Sequence, residues 1–185
     1  LDPSTSRGRR RQGRLVWLLL LSASVPGAAA ASACTASDPS LGLTKDVNGV
    51  YYVKSNSVLA TVCRQCESID YLYLLQCADC TDDALNTCTT LTSITGKDPT
   101  SGWSLVIESC PLVTSLMGLR HVTGPLAGAL LVRDMDKLVS LDGLEKVTSL
   151  GTGSGYYSGR SIYLANNPVL VSAAALSNAK LSGTV

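Results

Sequence analysis

The second half of this chain is one pattern written three times. Leu105-Val106-Ile107-Glu108-Ser109-Cys110 is followed by Val113, Leu116, Leu119 and Val122. Leu130-Leu131-Val132-Arg133-Asp134-Met135 is followed by Leu138, Leu141, Leu144 and Val147. Ile162-Tyr163-Leu164-Ala165-Asn166-Asn167 is followed by Leu170, Ala173, Leu176 and Ala179. The lines superpose without a gap inside the unit, at a period of 25 to 32 residues, and only the connectors differ in length. A fixed order of apolar positions at such a period predicts a stacked solenoid, because each unit buries the apolar face its neighbour leaves open. The alternating triplets Leu105-x-Ile107, Leu130-x-Val132 and Ile162-x-Leu164 predict strands that point these pairs into the core. Three residues on, Cys110, Met135 or Asn167 stands at a bend, where a buried polar side chain can bond to backbone groups. The apolar positions then recur every three residues, which suits a 3₁₀-like or extended coil better than an α-helix.

Residues 34–62 read as irregular apart from a hairpin around Asn48-Gly49, flanked by Val47 and by Val50-Tyr51-Tyr52-Val53. Residues 63–90 hold five of the seven cysteines. Within them Thr81 to Cys88 predicts a short helix, with Thr81 as N-cap and Asp82 and Asp83 at the positive end of its dipole. Leu91 to Gly96 then reads as a strand or turn. The spacing Leu85-x-x-Cys88-x-x-Leu91 matches Leu116-x-x-Leu119-x-x-Val122, so the cysteine-rich region 34–90 is expected to act as an N-terminal cap on repeats spanning 91–185. The array is expected to continue beyond Val185, where the next strand is due.

Five arginines between Arg7 and Arg14 precede an apolar run of about 11 residues, Leu15 to Val25, and then small residues ending Ala31-Ser32-Ala33. That order is a secretory signal peptide, residues 1–33, cut after Ala33. The run is well short of the roughly 20 residues that span a bilayer. The leader carries five Arg and one Asp of the chain's 15 basic and 14 acidic residues, so its removal leaves 10 against 13, a net charge near −3. No basic patch for nucleic acid remains. No later apolar run reaches spanning length, so membrane attachment is expected only through sequence outside this chain. The mature part has no Asn-x-Ser/Thr sequon, so N-glycans are not expected. With no Phe, the core must be built of Leu, Val, Ile and Ala.

Cys34, Cys63, Cys66, Cys77, Cys80, Cys88 and Cys110 form the one candidate reactive cluster. In a cytosolic protein, Cys63-x-x-Cys66 and Cys77-x-x-Cys80 would read as a zinc ribbon. Behind a secretory leader they read as disulfides. The six cysteines from 34 to 88 suffice for three bridges in any of 15 connectivities, leaving Cys110 as a buried free thiol. A thioredoxin-like role is disfavoured, because neither pair follows a βαβ pattern. His121, the lone histidine, reads as a solvated residue, since no nucleophile partners it. Asp134, Asp136, Asp142 and Glu145 read as a solvated acidic face, with a weak Ca²⁺ site as the other reading. No cofactor is expected. The two long connectors, Thr95–Ser104 and Leu150–Ser161, fall at the same corner of the unit, a common place for a binding face. The second is Gly-rich, and its Gly151-x-Gly153-x-Gly155 fits neither a dinucleotide nor a phosphate loop. Trp103, Tyr156 and Tyr157 in or beside these connectors are candidate ligand anchors; the competing role is to cover the apolar corner.

Leu138-Val139-Ser140-Leu141-Asp142-Gly143-Leu144 and Leu164-Ala165-Asn166-Asn167-Pro168-Val169-Leu170, with the cap Asp82-to-Cys88 running into Leu91-to-Gly96, resemble the receptor L-domain family. That family occurs in the extracellular parts of insulin and epidermal growth factor receptors and in fungal cell-wall GPI-anchored proteins. The resemblance covers about residues 80–185. It implies a mainly β, right-handed leucine-rich-repeat-like β-solenoid (L-domain-like), carried here on the cysteine-rich N-terminal cap. It further implies a secreted or cell-surface, non-catalytic recognition or adhesion module that binds an extracellular protein or glycan ligand. The long Gly-Tyr connector and Ala173 in place of Leu depart from the family pattern. The alternatives are a structural cell-wall or matrix protein, the ectodomain of a receptor kinase, and an intracellular zinc-capped repeat protein. No set of acid, base and nucleophile supports an enzyme.

Overall fold

The computed structural model describes residues 31–185. The expected leader lies outside the described residues as far as position 30, and its last positions, Ser32 and Ala33, open the first strand. In chain order the elements are β1 (Ser32–Cys34), β2 (Thr44–Lys45), β3 (Tyr51–Tyr52), α1 (Asn56–Gln65), β4 (Cys66–Ile69), β5 (Leu72–Leu75), α2 (Asp82–Asn86) and β6 (Ser93–Ile94). They continue with β7 (Trp103–Glu108), β8 (Gly124–Leu126), β9 (Ala129–Arg133), β10 (Val147–Leu150), β11 (Ile162–Ala165) and β12 (Lys180–Leu181).

The repeat lines meet side by side. A parallel sheet in the order β11-β9-β7-β5 places Ile162, Leu130, Leu105 and Leu72 in one row, and Leu164, Val132, Ile107 and Leu74 in another. Both rows point into the main core, which Val113, Leu116, Leu119 and their counterparts Leu138, Leu141 and Leu144 complete. β5 shows that the pattern begins one unit earlier than the three lines, at Leu72-x-Leu74 with Cys77 three residues on. Every strand of this sheet is followed by a left-handed residue: Gln76 (φ 52°), Ser109 (53°), Asp134 (54°) and Asn166 (52°). The left-handed step reverses the alternation, so that Cys77, Cys110 and Met135 turn inward and are fully buried. Asn167, half-buried at the same place, accepts from the Met135 N–H (3.1 Å) and donates to the Val132 carbonyl (3.0 Å), the backbone bonding expected of a polar residue at the bend. The three-residue apolar spacing produces 3₁₀ turns at Met117–Leu119 and Ala174–Leu176. Two further parallel sheets, β1-β4-β6 and β8-β10-β12, contribute Ile69, Ile94, Leu126, Val147 and Leu150 to the same core.

This architecture corrects the fold class read from the sequence. The mainly β, right-handed leucine-rich-repeat-like β-solenoid with a cysteine-rich cap is not what the described residues form. They form a mixed α/β structure of twelve short strands in parallel and antiparallel sheets with two helices, and they do not make a closed solenoid. Residues 34–65 provide the physical reason. β2 and β3 form an antiparallel hairpin, whose turn is held where the Asp46 carboxylate accepts the Asn48 and Val50 N–H groups. The segment expected to be irregular then enters α1, ten residues long. Ser55 caps it by accepting from the Val58 N–H (3.4 Å), and it buries Leu59, Val62 and Cys63 on one face. The Asn56 side chain accepts from the Thr81 N–H (2.9 Å), which ties the start of α1 to the N-cap of α2.

The hairpin has a sheet face to cover. β7 and β9 are apolar on both sides, as parallel strands buried between layers are. Their outward residues Val106, Leu131 and Ala129 join Tyr71, Tyr73 and Trp103 in a second core. Val50 and Tyr52 of the hairpin arm, with Ala36, lie over it. Val53 then bridges to Leu74 in parallel and extends the four-stranded sheet. The third layer therefore follows from the composition of the strands' outer face.

Close backbone packing at the connector corner sets a steric test. A Cβ on Gly128 would lie 2.1 Å from the Gly102 carbonyl oxygen, and one on Gly151 would lie 2.0 Å from that of Ala127. Gly128→Ala and Gly151→Ala are each expected to cost about 1–3 kcal/mol, seen as a lower urea midpoint at unchanged m-value. An unchanged midpoint in both would show that these units do not pack at this spacing.

Candidate functional site

The outer layer leaves a cavity of about 260 Å³ between the hairpin, the sheet and the long connectors. Its floor is the outward face of the sheet: Tyr73, Trp103, Val106 and Leu131. One wall is the hairpin turn, with Asp46, Asn48 and Val50. The opposite wall is built from the connectors, with Thr100 and Ser101 from the first and Tyr157 from the second. Leu75, Glu108 and Arg133, the ends of three neighbouring strands, close the third side.

The two connectors meet as their placement in the repeat predicts. The Ser154 N–H donates to the Ser101 carbonyl (2.7 Å), and its hydroxyl donates to the Thr100 carbonyl (2.9 Å). The first connector folds around Asp98, which is 2% exposed and accepts from the Ser101 N–H (2.7 Å), the Ser101 hydroxyl (2.8 Å) and the Thr100 N–H (3.1 Å). In the second, Gly155–Tyr157 makes a 3₁₀ turn that delivers Tyr157 to the cavity.

Two of the three aromatic candidates therefore converge. The Trp103 and Tyr157 rings meet edge to face at 5.4 Å, and Tyr157 also contacts Tyr163 at 4.7 Å. Trp103 is nearly buried, so it covers the corner, and it also lines the cavity. Tyr156 is 94% exposed and lies outside the cavity lining, its ring edge-on to Tyr157 at 5.0 Å.

Of the lining residues only Trp103 and Tyr157 were candidates from the sequence; Tyr73, Asp46, Glu108 and Arg133 are among those it missed. Glu108 and Arg133 sit opposite each other in register and form an ion pair, and Arg133 Nη1 also donates to the Tyr157 hydroxyl (3.3 Å). The Glu108 carboxylate hydrogen-bonded to it raises the Arg133 pKa further. A signal for this pair was present, since both residues hold the same outward position of successive repeat lines, with opposite charge. Tyr73 donates to or accepts from the Ser101 hydroxyl at 2.6 Å. Burial pushes the Tyr73 pKa well up, and the Asp98 charge adds to this.

The other candidates stand apart. His121 is half-buried beyond the 3₁₀ turn at Met117–Leu119 and takes no part in the cavity. Asp134, Asp136, Asp142 and Glu145 do not converge on one point: Asp134 accepts from the Asn166 amide (2.8 Å), while Glu145 accepts from the Gly143 N–H. Six cysteines pair as Cys34–Cys66, Cys63–Cys88 and Cys77–Cys80, and Cys110 is free and buried. Cys63 and Cys66 are thus committed to bridges away from Cys77 and Cys80. Among the described residues the one metal-type grouping is Cys77, Asp79 and Cys80, two of whose three members are a disulfide. No helix among the described residues is long and apolar enough to cross a membrane. Comparison with protein-family models, curated proteins and solved structures finds no match to this chain.

Non-reducing peptide mapping is expected to recover these three pairs and a single free thiol. Burial pushes the Cys110 pKa from 9.0 up to about 11, so alkylation of the native protein should be slow at pH 8 and accelerate as pH approaches 11. The folded state holds this proton more tightly than the unfolded chain. Its contribution to stability is therefore complete below about pH 9 and is lost as pH rises through about 11. Rapid native alkylation at pH 8 would place Cys110 at the surface.

Proposed function

We propose that this chain is an extracellular, non-catalytic recognition or adhesion module that binds its ligand at the cavity on the outer face of the sheet. The observation that carries the reading is the convergence of Trp103, Tyr157 and the Glu108–Arg133 pair on one open cavity. Concave, largely apolar sites with a few placed polar groups are where ligands bind, and aromatic residues with arginine dominate binding hot spots. The three disulfides suit an oxidising compartment. The leader-like order of residues 1–33 supports export, and the resemblance of the repeat lines to receptor L domains supports recognition outside the cell.

The site has a rigid scaffold and adjustable walls. Its floor belongs to a sheet anchored in the main core, whereas one wall is a hairpin turn and another is a pair of connectors. That division suits binding, because the floor fixes orientation while loops determine selectivity.

Expression of the full chain in a secretory host should release protein whose N-terminal sequence starts at Cys34. A multimer of that protein should bind saturably to immobilised panels of extracellular proteins or glycans. Tyr157→Ser should weaken this binding by about tenfold or more while leaving the thermal midpoint within a few degrees. Cytosolic retention would overturn the extracellular reading, and the absence of saturable binding to either panel would overturn recognition.

A further inference from the structure

We propose that the cavity seats a single apolar or aromatic side chain of a partner protein, flanked in the partner's sequence by a lysine or arginine; this rests on the reading of the chain as a recognition module.

The floor sets the first half of the proposal. Val106, Leu131 and Trp103 present carbon surface, and the one hydroxyl among the floor residues, that of Tyr73, is already bonded to Ser101. A neutral sugar ring would find hydrogen-bond partners only on the walls, among Asp46, Asn48, Thr100 and Tyr157, and each hydroxyl turned to the carbon of the floor would be left unsatisfied at about 1–3 kcal/mol. An apolar side chain carries no such cost and gains the burial. The volume of about 260 Å³ falls below the roughly 300–1,000 Å³ of sites that enclose whole small molecules. It matches an anchor side chain entering from a larger surface.

The rim sets the second half. The Asp46 carboxylate stands at the mouth, positioned by the Asn48 and Val50 N–H groups, both of which bond to Oδ1. Glu108 lines the same cavity at the strand ends. Asp98 lies buried behind the Thr100–Ser101 wall. Against these three carboxylates the cavity holds one cation, Arg133, which Glu108 and the adjacent Asp134 (3.3 Å) already neutralise. The lining itself therefore carries more carboxylates than cations. It favours a cation beside the anchor and disfavours an acidic peptide or a phosphate. The mature chain's net charge near −3 acts in the same direction at longer range.

The test is selection of a displayed random-peptide library on the secreted full chain, with a panel of neutral oligosaccharides run in parallel. The expected consensus is one Trp, Tyr, Phe, Leu or Met with Lys or Arg within two positions. A synthetic peptide of that consensus should lose about tenfold or more in affinity when its anchor is changed to Ala. It should also bind Tyr157→Ser about tenfold more weakly. Asp46→Asn, which keeps the Oδ1 acceptor that shapes the turn, should cost about two- to fivefold at low salt, and high salt should erase that difference. Leu131→Arg, which fills the floor with charge, should abolish binding; if that variant unfolds, Tyr157→Ser and Asp46→Asn decide alone. An acidic or featureless consensus, or affinity untouched by both variants, overturns the proposal. Saturable binding of a neutral oligosaccharide that depends on Tyr157 also overturns it, yet leaves the recognition reading intact. Binding of neither peptide nor oligosaccharide overturns both.

Discussion

The structure depends on a parallel sheet that is apolar on both faces. β5, β7, β9 and β11 run side by side and in register from Leu105 onward, after one irregularity between Trp103 and Leu105, so equivalent residues of each repeat line stack into continuous rows. The inward rows of leucine, isoleucine and valine are ordinary core. The outward row of Tyr73, Val106, Leu131 and Tyr163 is nearly as apolar, and water on that side would expose it. Hydrophobic burial at roughly 25 cal/mol per Å² rewards any segment that covers the face. The hairpin of β2 and β3 and the residues leading to Val53 do so.

Cover from a short hairpin and two loops is incomplete, and the cavity is the remainder. Where Val50 and Tyr52 reach the sheet, Tyr71 and Tyr73 are buried. Where the hairpin turn stops, at Asp46 and Asn48, a hollow is left between the turn and the Tyr157 connector, and the floor residues Trp103, Val106 and Leu131 beneath it are themselves nearly buried. The charged residues at the strand ends then acquire a role. Glu108 and Arg133 would be unremarkable on an open surface, where an ion pair contributes about 0–1 kcal/mol. At the edge of an apolar hollow they set its polarity and hold Tyr157 by its hydroxyl.

The disulfides act within residues 34–88. Cys34–Cys66 joins β1 to β4, and Cys63–Cys88 joins the end of α1 to the residue two beyond α2, closing loops of 32 and 25 residues. Bridges of that span restrict the unfolded chain by about 3–4 kcal/mol each in the entropic account. They secure the segment that has the fewest repeat contacts and that also delivers the hairpin to the outer face. Cys110 stands in the row of Cys77 and Met135, fully buried like both.

The sequence by itself determined the local rules: which residues of the repeat lines alternate inward, that Thr81 caps a helix, that Asn48-Gly49 turns a hairpin, and that the two connectors share a corner. Each follows from spacing within a few residues, which is where periodicity and capping operate. The first repeat line, Leu72-x-Leu74 with Cys77, obeyed the same spacing but was masked by the cysteines around it. Only the tertiary structure decided the rest. The helix of residues 56–65 gained its place through burial of Leu59 and Val62 in the main core, and the solenoid expectation gave way to a mixed α/β structure because this helix joins that core while the hairpin arm covers the outer face of the sheet. The cavity joins Asp46, Tyr73, Glu108, Arg133 and Tyr157, which are up to 111 positions apart in the chain. No local pattern encodes such a meeting, since it is produced by the packing of one layer on another.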